Sequence, residues 1–308
     1  MKETTKQKPP IRLNPLNDYL FLKIMGEKGS EIQLLGFLNA VLGRTESSKL
    51  VSVEIVENKS LSADFIGEKA SILDVRAMLE DGTKVNIEVQ LRNLNNFDRR
   101  SLFYWSKEYT KSIKSGEDYI YLPTVININI VDFDFLETDN YHTVFHLKED
   151  KENTLILTEI LEIHFINMVK WRRCGKMDLE NEPLQRWLTW FDQNSSPELV
   201  EEVVKMDNSI MAANERQIYF TNDEEEIRVY EMREMALKDE RARIRYATNE
   251  GRKEGMEEGL EKGREAGLKE GLNKVARNAL AEGATTEFVQ KITGLSVETI
   301  IELNKQEK

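Results

Sequence analysis

Apolar and polar residues alternate twice between Val75 and Val89. Val75, Ala77 and Leu79 take every second place in one run, and Val85, Ile87 and Val89 do so in the next. A period of two marks strands with one buried face. Asp81-Gly82 between them supplies a turn former and a residue tolerant of positive φ. A two-residue loop would set apolar against charged residues along the ladder, beginning with Val75 against Glu88. A three-residue loop, Asp81-Gly82-Thr83, pairs Val75 with Val89, Ala77 with Ile87 and Leu79 with Val85, and such loops are common in hairpins. A slip of one residue flips every side chain, so the three-residue loop is the expected register. It sets Asp74 opposite Gln90 and Arg76 opposite Glu88 on the other face, with Asp74 and Glu88 as diagonal neighbours about 7–8 Å apart.

The flanking patterns are helical before the hairpin and mixed after it. Residues 14–25 and 30–43 read as helices, the second with Ile32, Leu35, Leu38, Asn39 and Leu42 near one face and Gly43 as a stop. Leu50 to Val56 alternates as a strand. Residues 97–114 read as a helix with Asp98 near its start, where an acid suits the dipole. In it Leu102, Trp105, Tyr109 and Ile113 form a stripe that should meet the sheet. Arg100, Lys107, Lys111 and Lys114 lie opposite, either as a solvated face or along nucleic-acid phosphates. Tyr119 to Phe135 reads as one long strand or two. The order α-β-β-β-α-β predicts an α/β fold, a mixed central sheet flanked by helices.

Beyond residue 137 the pattern continues as an appendage to that core. Leu155 to Val169 is β-rich. Pro183 to Phe191 is an amphipathic helix bearing Trp187 and Trp190, and Ser196-Pro197 opens another with a hydroxyl cap and proline just inside. His142 and His146 share an extended segment, and they and His164 read as structural residues. Residues 223–274 then shift to charged residues, Ala, Met and Gly, with glycine at 251, 255, 259, 263, 267 and 271. Six glycines cost a helix about 6 kcal/mol relative to alanine. A period of four also drifts about 40° per step on a 3.6-residue helix, so a pliable helical connector is expected. Residues 275–308 read as a small module of short helices. It resembles a helix-turn-helix, but its last helix carries Glu298 and Glu302 rather than groove-reading Arg, Asn or Gln, so a protein-interaction bundle fits equally. These C-terminal helices are the candidate surface for a homo-oligomer. The expected domains are therefore 1–222, 223–274 and 275–308.

Charge and composition narrow the class. The chain has 308 residues and a net charge of −12, which argues against a generally basic nucleic-acid binder. Residues 1–136 nevertheless hold 18 Lys/Arg against 19 Asp/Glu, so the acidic excess lies outside the proposed core. The single cysteine, Cys174, excludes an intramolecular disulfide and any multi-thiolate metal site. No run approaches the roughly 20 apolar residues of a membrane span. Residues 1–10 have no apolar leader core, so the cytoplasm is the expected compartment.

The candidate chemistry is on the polar face of the hairpin. Asp74 and Glu88 can converge on one cation, because Mg²⁺ takes one or two carboxylates plus waters. The alternative is a solvated face with an Arg76–Glu88 cross-strand pair. Four stretches carry a resemblance: Leu13-Asn14-Pro15-Leu16-Asn17-Asp18-Tyr19-Leu20-Phe21-Leu22-Lys23, Leu73-Asp74-Val75-Arg76, Val85-Asn86-Ile87-Glu88-Val89-Gln90 and Phe97-Asp98-Arg99-Arg100-Ser101-Leu102-Phe103-Tyr104-Trp105. They resemble the PD-(D/E)XK nuclease superfamily and, within it, the Rpn family of recombination-promoting nucleases and transposases. The resemblance implies a restriction-endonuclease-like core with a helical C-terminal extension. It implies Asp74 and Glu88 as ligands of Mg²⁺ or Mn²⁺ and Gln90 at the position of the superfamily lysine, orienting water. Leu73 stands where the superfamily name has Pro. Asp18 matches an acidic residue that many members place on a helix ahead of the sheet. A helix cap is its other reading, and Glu31 is a weaker alternative to it. Three function classes follow: a Mg²⁺-dependent endonuclease on double-stranded DNA that promotes recombination, a catalytically weak DNA-binding remnant of a mobile element, and a protein-interaction scaffold.

Overall fold

The computed structural model describes residues 12–56, 74–93 and 96–305. Leu73 and residues 1–10 lie outside them. Two helices come first, α1 (Asp18–Met25) and α2 (Glu31–Val41). They are followed by β1 (Val53–Ile55), β2 (Val75–Leu79), β3 (Lys84–Gln90), α3 (Phe97–Thr110), β4 (Val125–Val131), β5 (His142–Phe145) and β6 (Leu161–Asn167). Helices α4 (Met168–Arg173), α5 (Pro183–Phe191), α6 (Pro197–Met206), α7 (Asn208–Thr221), α8 (Glu224–Ala281), α9 (Thr286–Thr293) and α10 (Val297–Lys305) complete the chain. The strands form one mixed sheet in the order β1-β2-β3-β4-β6-β5. β3, β4 and β6 run parallel to one another, β2 pairs antiparallel with β3 and β1 with β2, and β5 pairs antiparallel with β6.

The hairpin keeps a three-residue loop but moves it by one residue. Val75 pairs with Ile87, Arg76 with Asn86 and Ala77 with Val85. Leu79 N donates to Thr83 O at 2.8 Å, which makes Glu80-Asp81-Gly82 the loop. Gly82 sits at its end with φ +83°. Three-residue hairpins want a left-handed residue there, and the loop expected from alternation would have put β-branched Thr83 in that place. The shift amounts to two residues in register, so every side chain keeps its predicted face. Arg76 nevertheless does not oppose Glu88.

The two faces of the sheet bury different chemistry. Val75, Ala77, Leu79, Val85, Ile87, Val89, Ile126, Ile128 and Ile130 belong to the main apolar core with residues of α1, α2, α5, α6 and α7. Aromatic rings close it: Phe37 meets Trp187 edge-on at 5.6 Å and Phe191 at 5.4 Å. The other face, under α3, carries Asn86, Glu88, Asn127 and Asn129, all buried, and a second apolar cluster of Phe97, Val131, Leu161, Ile163 and Phe165.

Several elements differ from the sequence expectation. The strand around 50–56 shortens to Val53–Ile55, and 119–135 contains a single turn of 3₁₀-helix at Tyr119–Tyr121 before β4. Helix α2 buries Gln33, Leu34, Phe37, Leu38 and Val41, and Ile32 is 65 % exposed. Its inward face is set by α7 and α5, which pack over Gly36 and Phe37. Helix α3 ends at Thr110, and Leu102 is 52 % exposed while Ser101 is fully buried. That helix meets asparagines, so a serine faces inward where an apolar stripe was expected.

By its contacts the chain divides into Met1–Met235 and Ala236–Lys308. In the second unit Ala276, Val289, Ile300 and Leu303 form a small core of their own. Thr285 caps α9 and Gly294, at φ +70°, ends it. Glu298 and Glu302 of α10 face solvent. The six periodic glycines lie in α8, and nothing stands within 4 Å of a Cβ built on any of them. No helix among the described residues is long and apolar enough to cross a membrane.

Gly36 is where α2 and α7 touch. A Cβ there would lie 2.0 Å from Ser209 Oγ and 2.3 Å from its Cβ. Gly36→Ala should therefore cost about 1–3 kcal/mol of unfolding free energy in urea titration. Gly36→Ala/Ser209→Gly should recover most of it.

Candidate active site

The site forms where β2, β3 and α3 meet. Carrying the Val75–Ile87 register one residue further sets Asp74 across from Glu88, closer than the diagonal arrangement expected. Both carboxylates are buried, Asp74 to 6 % exposure and Glu88 to 2 %. Strand β3 places Glu88 beside Asn129 of β4, in the parallel register. Strand alternation puts Glu88 on the α3 face because Ile87 and Val89 must face the apolar core.

Each carboxylate has an arginine. Arg76 Nε donates to Asp74 Oδ2 at 3.1 Å, and its guanidinium also lies 3.7 Å from Glu108 of α3. Arg100, from the first turn of α3, donates through Nη2 to Glu88 Oε1 at 2.5 Å. Glu88 Oε2 is buried and has no hydrogen-bond partner among the described residues. Burial pushes the Glu88 carboxyl up; Arg100 opposes this and the negative charge of Asp74 adds to it. An unsatisfied, desolvated carboxylate oxygen facing a second carboxylate suits a hard, oxygen-seeking divalent cation. No group of three or more His, Cys, Asp or Glu side chains that could hold a metal ion occurs among the described residues.

Gln90 lies two residues beyond Glu88 on the same face of β3. Its amide donates to Arg92 O at 3.2 Å, and its backbone carbonyl accepts from Asp132 N at 3.1 Å. A buried polar ladder supports the floor of the site. Asn86 Nδ2 donates to Asn127 Oδ1 at 3.0 Å, and Asn127 and Asn129 both donate to Ser101 Oγ at 3.0 Å. Trp105 Nε1 donates to Val125 O at 2.8 Å. These bonds fasten α3 over the carboxylates. A small cavity between β2, β3 and α3 is lined by Arg76, Lys84, Asn86 and Glu108 among others. The ladder was missed in the sequence, although its signal was there: the alternation Asn127-Ile128-Asn129-Ile130 places two amides on one strand face.

A model of the PD-(D/E)XK nuclease family transposases matches residues 15–247. The chain belongs to that family. No curated protein and no solved structure matches it. The match spans Asp74, Glu88, Gln90 and α3, and it reaches back to Asn17 and Asp18.

Other candidate residues of this family member fall in different places. Lys107, Lys111 and Lys114 are exposed on and just after α3, with Lys111 Nζ 3.7 Å from Glu108. Arg100 leaves that solvated stripe for Glu88. Asn17 caps α1, accepting from Tyr19 N and Leu20 N. Asp18 receives Arg233 Nε at 2.9 and 3.0 Å on its two oxygens and Arg233 Nη2 as well. Glu31 sits in the first turn of α2. His142 and His164 stack at the β5–β6 edge, 2.9 Å apart through Nε2 and Nδ1, and His164 Nε2 reaches Glu162 at 2.5 Å. Burial and His164 bring His142 down to about 4 against a weaker upward pull from Glu162.

Two outcomes follow. Asp18→Asn should lower unfolding free energy by about 2 kcal/mol, because it weakens a charge-assisted fork; Arg233→Met should lower it similarly, and the double variant should cost less than the sum in a urea double-mutant cycle. For His142, the unfolded state takes a proton near pH 6.5 and the folded state near 4. Unfolding free energy should therefore fall as pH drops through that window, and His142→Gln should flatten the fall.

Proposed function

We propose that this protein is a Mg²⁺-dependent endonuclease that hydrolyses phosphodiester bonds in double-stranded DNA and so promotes recombination. The observation that carries the reading is the pair of buried carboxylates, one with an unpartnered oxygen, in a member of a nuclease family. Asp74 and Glu88 would hold the cation, with Mn²⁺ as a substitute for Mg²⁺. When bound, the cation supplies a nucleophilic water and stabilises charge on the phosphate.

The remaining steps belong to side chains. Gln90 orients the attacking water through its amide. An amide cannot take the proton, so the proton leaves to solvent. Lys107, Lys111 and Lys114 line the DNA backbone on the outer side of α3, and Arg100 reaches it from the site itself. Residues 1–222 carry the chemistry in this reading. Residues 223–274 connect them to the 275–308 module, whose helices offer the surface for self-association, and the protein works in the cytoplasm.

The test is nicking of supercoiled plasmid with Mg²⁺ or Mn²⁺. Asp74→Ala and Glu88→Ala should each slow nicking by on the order of a hundredfold or more, beyond the 10–100-fold typical of outer-shell residues. Chelation should abolish it. Equal nicking by wild type and both variants would show that the carboxylates are not the site. Retardation of DNA by all three, with no cutting by any, would make the protein a DNA-binding relative of the nucleases.

A further inference from the structure

Arg100 makes only half of the contact its geometry allows. One guanidinium nitrogen meets Glu88 Oε1 at 2.5 Å, while Arg100 Nε and Glu88 Oε2 are both buried without a hydrogen-bond partner among the described residues. A closed fork would have satisfied both. The two side chains also differ in their access to water: Arg100 is 22 % exposed and Glu88 3 %. The arginine enters from the solvent side, and the carboxylate is fixed in the sheet. A second position for the guanidinium is at hand, because its central carbon already lies 5.4 Å from the centre of the Tyr104 ring, one turn along the same helix.

From these observations we propose that Arg100 is a displaceable counter-cation, which holds Glu88 until a divalent cation binds and is then released toward the DNA phosphate. A divalent ion at the Glu88 and Asp74 oxygens carries twice the charge of a guanidinium and repels it at close range. The incoming phosphodiester offers the released fork a planar anionic partner that it fits well. Asp74 differs, since its arginine, Arg76, is shared with Glu108 and has a standing partner on α3. Arg100 is thus a positioning residue that couples cation entry to DNA contact. This inference rests on the carboxylate site proposed above.

The test measures binding without turnover. Mn²⁺ affinity is read by electron paramagnetic resonance in wild type, Glu88→Gln and Arg100→Gln, and affinity for a short DNA duplex is read with Ca²⁺ across a salt series. Glu88→Gln should weaken Mn²⁺ binding at least tenfold. Arg100→Gln should tighten it at least threefold, because the competing charge is gone. With Ca²⁺, Arg100→Gln should make the slope of log affinity against log salt shallower by about one, and without metal it should leave the slope unchanged. A residue that merely props up the fold would weaken Mn²⁺ binding or leave it alone, and would shift DNA binding equally with and without metal. Unchanged or weaker Mn²⁺ binding in Arg100→Gln, with Glu88→Gln defective, overturns the inference and spares the site. Wild-type Mn²⁺ binding in Glu88→Gln overturns both. If Arg100→Gln does not fold, Arg100→Met, whose side chain packs on Tyr104, carries the same expectations.

Discussion

A carboxylate at 2 % exposure, that of Glu88, is the constraint around which this fold is arranged. Taking such a group out of water is costly unless it is paired and hydrogen-bonded. Glu88 cannot move outward, because its neighbours Ile87 and Val89 are anchored in the apolar core on the opposite face. The compensation has to come from what lies above the strand, and α3 supplies it. Its first turn brings Arg100 to Glu88, and its later turns bring Glu108 to Arg76 and Ser112, just past its end, to Lys84. Helix α3 is therefore held down by polar contacts as well as by the apolar packing of Phe97 and Trp105.

The division of labour between the two faces follows from this. Stability is concentrated on the face that carries Trp187, Trp190, Phe37 and Phe191 against the isoleucines of β4. The α3 face sets an amide ladder beside a smaller apolar cluster, which is tolerable because Asn86, Asn127, Asn129 and Ser101 hydrogen-bond to one another. Three buried atoms beside the candidate site have no partner among the described residues, Asn86 Oδ1 and Glu88 Oε2 of β3 and Arg100 Nε of α3. Unsatisfied buried polar atoms are rare in native structures.

Much of this was legible in the sequence because strand periodicity is a strict signal. Alternation alone assigned Asp74, Glu88 and Gln90 to one face, and the two-residue shift in register preserved that assignment. The shift itself was decided by a local preference, a left-handed residue at the end of the loop, which Gly82 satisfies and Thr83 would not. Helical periodicity was less informative. In α2 the apolar residues spread around much of the circumference, and the packing of α5 and α7 turns Phe37 inward and leaves Ile32 outward. In α3 the stripe through Leu102 was misleading, since the wheel assumes an apolar partner and the sheet offers amides. Arg100 was grouped with the lysines for the same reason: an isolated helix does not reveal that a buried anion lies beneath it.

The N-terminal motif shows how a family resemblance and a contact map constrain each other. Asn17, Asp18, Tyr19 and Lys23 lie together in the stretch that resembles the family. In the fold each reaches α8: Asn17 Nδ2 to Glu234 at 2.8 Å, Asp18 to Arg233, the Tyr19 hydroxyl to Glu226, and Lys23 to Glu226 at 3.1 Å. The Tyr19 phenol is pushed well up by burial and by its hydrogen bond to Glu226, so it remains a donor. Lys23 also meets Glu27, which in turn receives Arg216 of α7. Four polar side chains on a two-turn helix and its cap thus bind partners more than 200 residues away. A helix of eight residues is too short to be stable on its own, and here its polar side chains are tied by hydrogen bonds and ion pairs to the first turns of α8. The family model spans both sides of this contact, from residue 15 to 247. The start of the charged helix is accordingly part of the sheet domain, and the polar residues of the N-terminal motif have a structural reason to occur together that requires no reaction chemistry.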